Sequence, residues 1–282
     1  MKTKVLVTGS NGQLGQCLQS LALQTDFEFS FFNSTTLDIS SKENINTIFN
    51  STYDFCINCA AYTAVDKAEE EKEKANLINN IAVRNIAESC KTNNITLIHI
   101  STDFVFNGNK TEPYHENDET KPISVYGQTK LDGEKAIQDT LKQHFIIRTS
   151  WLYSQFGNNF LKSMLNLAKT RSTLSIVSDQ VGTPTYAMDL AKTIIVLIKQ
   201  NKNHGTYHYS NNGVASWFDF ANEIFRRTKT TIELNSIPTS QYPTAANRPH
   251  YSVLNKTKLK QNFNVIIPEW EESLETCLKA LF

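Results

Sequence analysis

The chain has 282 residues, 40% of them hydrophobic, with only 10 glycines and 7 prolines: enough apolar material for a sizeable core, too few breakers for wholesale disorder. Twenty-eight basic residues balance 28 acidic ones, and this formal charge of zero removes the electrostatic case for nucleic acid or an anionic membrane as main partner. The longest late apolar run, residues 193–198, is far too short to span a bilayer, no secretory leader pattern precedes Val5, and an odd five cysteines read as reduced thiols with a cytoplasmic address.

Taken in chain order, short β-rich runs alternate with helix-period segments. Strands are predicted at 4–8, 28–32, 54–60, 96–101 and 145–149, and helices at 13–24, 42–49, 72–91 and 125–143. This spacing reads as βαβ units: an α/β fold with a doubly wound parallel sheet of Rossmann type, its ligands at the carboxyl ends of the strands. After Trp151 the rhythm changes. Residues 159–169 and 186–200 look helical, the strands become short and scattered, and five prolines punctuate the remainder. The predicted division is a dinucleotide-binding domain over 1–152, with part of 179–203 returning to it. A smaller interleaved lobe at about 153–178 and 204–282 is expected to supply substrate contacts.

Thr8-Gly9-Ser10-Asn11-Gly12-Gln13-Leu14-Gly15 follows the first strand and opens the first helix. Glycines at 9, 12 and 15 suit a tight turn, close backbone approach to a pyrophosphate and close helix–strand packing. The helix N-terminus offers free N–H groups to phosphates. The end of the second strand, Phe31-Phe32-Asn33-Ser34-Thr35-Thr36, lacks the carboxylate that favours NAD and also lacks an arginine for a 2′-phosphate. NADPH is the preferred reading, with NADH as the alternative. Asp38, beside Ile39, is either an adenine contact or a helix-capping residue. The small residues Ala60 and Ala61, before Tyr62, would let a cofactor lie across the sheet edge.

Ser101-Thr102-Asp103 ends a strand, and Tyr126-Gly127-Gln128-Thr129-Lys130 begins a helix. Tyr126 and Lys130, four apart, share a helical face. An ammonium fixed beside the phenol would lower the tyrosine pKa toward useful acid–base work, and Thr102 would hold a substrate carbonyl against it. Cys56 and Cys59 have redox-like spacing but lie in a strand-like run with no second pair, which favours packing thiols. The run Glu69-Glu70-Glu71 reads as a solvated helix start, the six dispersed histidines show no metal spacing, and His99 reads as a packing residue. Residues 268–282 form a predicted amphipathic helix whose apolar face belongs to the core.

These residues resemble the extended short-chain dehydrogenase/reductase superfamily and, within it, the dTDP-4-dehydrorhamnose reductase family. The supporting strings are TGSNGQLG from Thr8, AAYTAVDKAE from Ala60, STDFVFNG from Ser101, VYGQTKLDGE from Val125, RTSWLY from Arg148, DQVGTPT from Asp179, and Asn247-Arg248-Pro249. They extend from residue 8 to about 250, so the resemblance spans nearly the whole chain. The resemblance implies hydride transfer from NAD(P)H to C4 of a dTDP-4-keto-6-deoxy-L-hexose, with Tyr126 donating the proton. Lys130 would bind the nicotinamide ribose and Thr102 would complete the set. It also implies a sugar-nucleotide site of Thr102, Asp103, Trp151 and Arg248, with Asn158, Asn159 and Gln180 as weaker members that read equally as buried structural polar residues. Trp151 reads equally as a core aromatic, and Arg248 as either a diphosphate partner or an ordinary surface arginine.

Dehydratases of the superfamily place a glutamate after Thr-Asp; Phe104 stands there, and phenylalanine cannot act as a base. An epimerase, a reductase of another nucleotide-linked sugar and a non-catalytic cofactor-binding subunit remain alternatives. Some relatives dimerise around Mg2+ held by glutamates; the matching positions, Cys17, Met188 and Ala280, offer no hard oxygen ligand. A monomer or homodimer without metal is therefore expected.

Overall fold

The computed structural model describes residues 2–49 and 52–282. The chain opens with β1 (Lys4–Thr8), α1 (Gln13–Ala22), β2 (Glu28–Phe32), α2 (Lys42–Ile48) and β3 (Phe55–Asn58), the alternation expected from the sequence. Two short helices follow, α3 (Val65–Ala68) and α4 (Lys72–Asn76), then a π-helical turn over Leu77–Ile81 and α5 (Ala82–Thr92). The helix expected over 72–91 is therefore widened in its middle, a local departure often found beside functional sites. β4 (Thr96–Thr102), α6 (Val125–Thr140) and β5 (His144–Thr149) complete this half.

Beyond β5 come β6 (Leu152–Tyr153), α7 (Phe160–Leu167), β7 (Thr173–Val177), β8 (Val181–Gly182), β9 (Thr185–Tyr186) and α8 (Ala187–Gln200). α8 packs on α1, and β10 (Gly205–His208) then pairs with β5, so the chain re-enters the sheet past residue 203. β11 (Ala215–Ser216), α9 (Trp217–Thr228), β12 (Glu233–Ile237), α10 (Thr257–Phe263) and α11 (Trp270–Leu281) finish the fold. The six long-sheet strands are all parallel, in the order β10-β5-β4-β3-β1-β2. β1 lies between β2 and β3, so successive connections leave it in opposite directions. That reversal opens a crevice at the carboxyl ends of β1 and β3.

Alternate residues of the strands feed two apolar layers, as a parallel sheet covered on both faces requires. Val5, Val7, Ile98 and Ile147 pack with α1, α8 and α10; Leu6, Cys56, Leu97 and Ile146 pack with α2, α5 and α6. Each such aliphatic side chain contributes about 1.5–3 kcal/mol on leaving water. The lobe has its own core of Tyr153, Leu161, Phe220, Ile224, Trp270 and Leu274. Cys277 on α11 belongs to it, so the C-terminal helix does present its apolar face inward. Among the described residues, no helix is long and apolar enough to cross a membrane.

Candidate active site

The glycine loop turns sharply out of β1. Gly9 has φ of +65°, and a methyl group there would stand 2.6 Å from the Ala60 backbone nitrogen, so β1 and β3 approach as closely as they do because this residue has no side chain. Gly12 is the N-cap of α1 and no side chain caps the helix, which leaves its first N–H groups facing the crevice. A cavity of about 360 Å³ extends from the loop over the strand ends. It is lined by Gly9, Asn11, Gly12, Asn33, Ser34, Asp38, Ile39, Ala60, Ala61 and Tyr62, among others. None of its lining residues is a lysine or arginine. Asp38 is not a helix cap: Ser41 caps α2, while Asp38 accepts from the backbone and hydroxyl of Ser40, which hold its carboxyl below the usual range. The Asn33 amide oxygen is occupied by Thr35 and Thr36. Tyr62 is fixed from behind by Asn79 of the π-helical turn, a fully buried residue that bonds both backbone groups of Tyr62 and the Thr129 hydroxyl of α6.

A second cavity of about 700 Å³ shares Asn11, Gly12, Cys59 and Ala61 with the first and continues toward the lobe. Gln13, Leu14, Gly15, Thr102, Asp103, Tyr126, Lys130, Trp151, Asn158 and Arg248 all line it; Gln180 does not, and donates instead to Thr239. α6 can deliver Tyr126 and Lys130 here because Gly127 rests on the Phe104 carbonyl, where a methyl group would stand 2.2 Å away. The helix start is doubly held: Ser124 accepts from Gly127 N, and Glu69 accepts from Val125 N at 2.8 Å. Glu69 is thus a tertiary cap rather than a merely solvated charge.

Thr102 ends β4 with its hydroxyl donating to Asp103 Oδ1 at 3.0 Å and accepting from Phe104 N. Asp103 is 2% exposed, and its Oδ2 makes no hydrogen bond of ordinary length. Burial pushes its carboxyl up to about 6, against the pull of the Ser252 and Thr102 hydroxyls. Tyr126 departs from expectation. Burial pushes its phenol up to about 12, with Thr102 pulling the other way and Asp103 adding to the rise. Lys130 does not lower it, because its Nζ is drawn back to the Ile100 carbonyl at 2.6 Å and to His99 Nε2 at 3.2 Å. Burial pushes Lys130 itself down to about 8, opposed by Glu134 and Cys59.

Behind these four residues sits a buried ion pair that the sequence did not announce. Arg148 on β5 grips Glu134 on α6 through Nε and Nη2 (2.7 Å for the latter), and Ser101 also donates to Glu134. The lobe forms the opposite wall. Trp151, a non-glycine residue at φ of +46°, stacks on Trp217 with ring centroids 3.7 Å apart. Trp217, missed in the sequence, starts α9 beneath a Ser216–Asp219 capping box; that pattern marks a helix start but not what the helix faces. Arg248 is not free: its guanidinium forks onto both carboxylate oxygens of Asp66 in α3, at 3.1 and 2.7 Å. Gln13 is tied to the lobe through Ser154 and Asn159, and Leu14 sits mainly in the core. All five cysteines are free, and among the described residues no cluster of His, Cys, Asp or Glu is placed to hold a metal ion.

The profile of the RmlD substrate binding domain family matches residues 3–282. A dTDP-4-dehydrorhamnose reductase of Salmonella typhimurium is 42% identical, over 99% of this chain and 98% of its own. The crystal structure of a dTDP-4-dehydrorhamnose reductase from Clostridium acetobutylicum superposes with a TM-score of 0.96 at 42% identity, covering 99% of each chain. One from Bacillus anthracis, in complex with NADP, gives 0.96 at 39% identity over 99% of this chain and all of its own. On this full-length match of sequence and fold, the chain belongs to the RmlD substrate binding domain family.

Proposed function

We propose that this protein reduces the C4 ketone of dTDP-4-dehydro-β-L-rhamnose to dTDP-L-rhamnose with NADPH, NADH being the alternative donor. The observation that carries this reading is the meeting of Thr102, Tyr126 and Lys130 in one cavity that runs without a break into the glycine loop. The residues present fit a dinucleotide: the Gly9 turn, the uncapped start of α1 and the adjoining 360 Å³ cavity form a cradle for a pyrophosphate and an adenosine. When bound, the nicotinamide supplies a hydride to the carbonyl carbon. Gly9 to Gly15 would hold the pyrophosphate, Asp38, Ile39 and Ala60 to Tyr62 the adenosine, and Lys130 the nicotinamide ribose.

Tyr126 is the proton donor in this reading. A phenol pushed up to about 12 stays protonated at neutral pH, as a general acid must, and yields its proton only as negative charge develops on the carbonyl oxygen. Thr102, beside it, orients that oxygen. Asp103 Oδ2, buried without an ordinary partner at the edge of the same cavity, is an acceptor for a sugar hydroxyl. Trp151 and Trp217 wall the sugar, Asn158 lies at the cavity mouth, and Arg248 takes the diphosphate by exchanging partners with Asp66. Residues to about 152, with the segment that returns through α8 and β10, serve the cofactor; the lobe serves the sugar. The NADP-bound relative supports NADPH, whereas a cavity without a cationic side chain gives a 2′-phosphate little grip. Five free thiols suit a cytoplasmic enzyme, acting as a monomer or homodimer.

The test mixes purified protein with enzymatically prepared dTDP-4-keto-6-deoxy-L-mannose and follows loss of NADPH and, separately, NADH absorbance. Oxidation with dTDP-L-rhamnose as product is expected, falling about 10²–10⁴-fold in Tyr126→Phe. Cofactor binding without turnover of this or any other nucleotide-linked keto sugar would sink the reading and favour a regulatory subunit.

A further inference from the structure

One row of the central sheet is polar while its neighbours are apolar. Thr8, Asn58 and His99 are cross-strand partners on β1, β3 and β4, and each is 1% exposed or less. A hydrogen-bonded line joins them to α6. Thr8 Oγ1 lies 2.6 Å from Asn58 Oδ1, Asn58 Nδ2 lies 3.0 Å from His99 Nδ1, and His99 Nε2 lies 3.2 Å from Lys130 Nζ. The line starts at the residue before Gly9 and ends on the lysine of the site. Buried polar groups are costly unless fully partnered, so the proton positions along such a line are tightly constrained.

Two arrangements pair every position of the Asn58–His99–Lys130 line, since an uncharged amine that only donated to Nε2 would leave its buried lone pair unpartnered. In the first, Thr8 accepts from Ala60 N and gives its own proton to Asn58 Oδ1, and Asn58 Nδ2 donates to His99 Nδ1. A neutral imidazole with a bare Nδ1 carries its proton on Nε2 and presents that N–H to Lys130. Only an uncharged amine can accept it. An ammonium has donors and no acceptor, so a charged Lys130 demands the second arrangement: Nε2 bare, the histidine proton on Nδ1, and the Asn58 amide turned so that its oxygen accepts. A doubly protonated His99 is disfavoured by burial and by the Lys130 charge, which together hold it well below its usual range.

We propose that His99 is a positioning residue for Lys130, its tautomer following the lysine's charge, with Asn58 and Thr8 carrying the change back to the root of the glycine loop. The charged and titratable groups facing the pair come from several elements. Glu134, one turn along α6, and Cys59, after β3, favour the charged lysine; His144 on β5 opposes charge on His99. Burial leaves Lys130 titrating at about 8, so both arrangements are populated in an accessible range. The inference deepens the reading of Lys130 as a site residue, yet its first test needs neither cofactor nor turnover.

The free protein, labelled with ¹⁵N in its histidine rings and lysine side chains, is titrated by NMR between about pH 6 and pH 10. The His99 signals are assigned by their loss in His99→Gln. The proton is expected on Nδ1 at low pH and on Nε2 at high pH, the change sharing its midpoint with Lys130 Nζ and vanishing in Lys130→Met. A single tautomer across the Lys130 titration, or a change that survives in Lys130→Met, overturns the proposal. In Asn58→Asp, whose ionised side chain offers only acceptors, the proton is expected to stay on Nδ1 throughout and the Lys130 Nζ midpoint to rise by about one unit. A folded variant that keeps the parental midpoint counts against it. An absence of sugar reduction would overturn the functional reading alone, because the titration is read on the free protein.

Discussion

On the sheet side of the groove, Lys130, Asp103, Glu134 and Arg148 are each 4% exposed or less, and three of them have their partners built in. The lobe wall's charge is Arg248, paired across the groove with Asp66 of α3, and these side chains are 23% and 44% exposed. A charge that stays buried must find its partner during folding, since leaving it alone costs several kcal/mol. A charge at the surface can trade its partner for water or for a ligand at little cost. The contrast assigns different work to the two walls: the sheet wall is set before any ligand arrives, and the lobe wall is free to rearrange around one.

The harshest test removes a partner from the buried wall. Arg148→Met leaves Glu134 in place with its fork gone, and should cost about 3–5 kcal/mol in urea unfolding. Arg148→Met combined with Glu134→Met should recover much of that loss, because the penalty lies in the unpaired charge rather than in the missing attraction. A single variant costing under about 1 kcal/mol, the value of an exposed pair, would erase the contrast between the walls.

Asp103 gives the next largest effect, with a defined sign. Its carboxyl titrates at about 6 in the folded protein against about 3.9 in an unfolded chain, so the folded state holds the extra proton between those values. Stability from this group is present below about pH 4 and is lost as pH rises through 6, by about 3 kcal/mol at most. Asp103→Asn cannot titrate. Its thermal midpoint should therefore match the parent at pH 4 and exceed it increasingly up to about pH 7. A difference that does not change over that window would mean that Asp103 is solvated or better partnered than the buried wall requires.

The sheet wall was legible in outline and illegible in its wiring. Strands buried on both faces announce themselves as apolar runs, the glycine spacing marks the turn, and Tyr126 and Lys130 declare a shared helical face by their spacing. Nothing local says that Lys130 meets His99 or that Glu134 meets Arg148, because those contacts depend on where α6 lies over β4 and β5. The expectation that Lys130 lowers the Tyr126 pKa failed for the same reason: spacing gives a common face but not which way the long side chain turns. In the lobe even the outline was faint. Its strands are two to five residues long, and the Trp151–Trp217 stack joins positions with no sequence relation.

The smallest effect is expected from the lobe wall, and it discriminates most finely. Asp66 accepts from Arg248 through both carboxylate oxygens and from the Ala246 backbone N–H, which lies in the same loop. Asp66→Asn keeps an oxygen for Ala246 and removes the charge that occupies the guanidinium. If Arg248 must leave Asp66 to grip a diphosphate, the variant spares it part of an exposed ion pair, about 0.2–1 kcal/mol. The KM for the sugar nucleotide should then fall by up to about fivefold, with kcat and the thermal midpoint nearly unchanged, whereas Arg248→Gln should raise KM. The opposite result for Asp66→Asn, a higher KM, would show that Asp66 holds the arginine in its working position. The lobe wall would then be pre-set through an ion pair in the same way as the sheet wall, and exposure would not be what separates them.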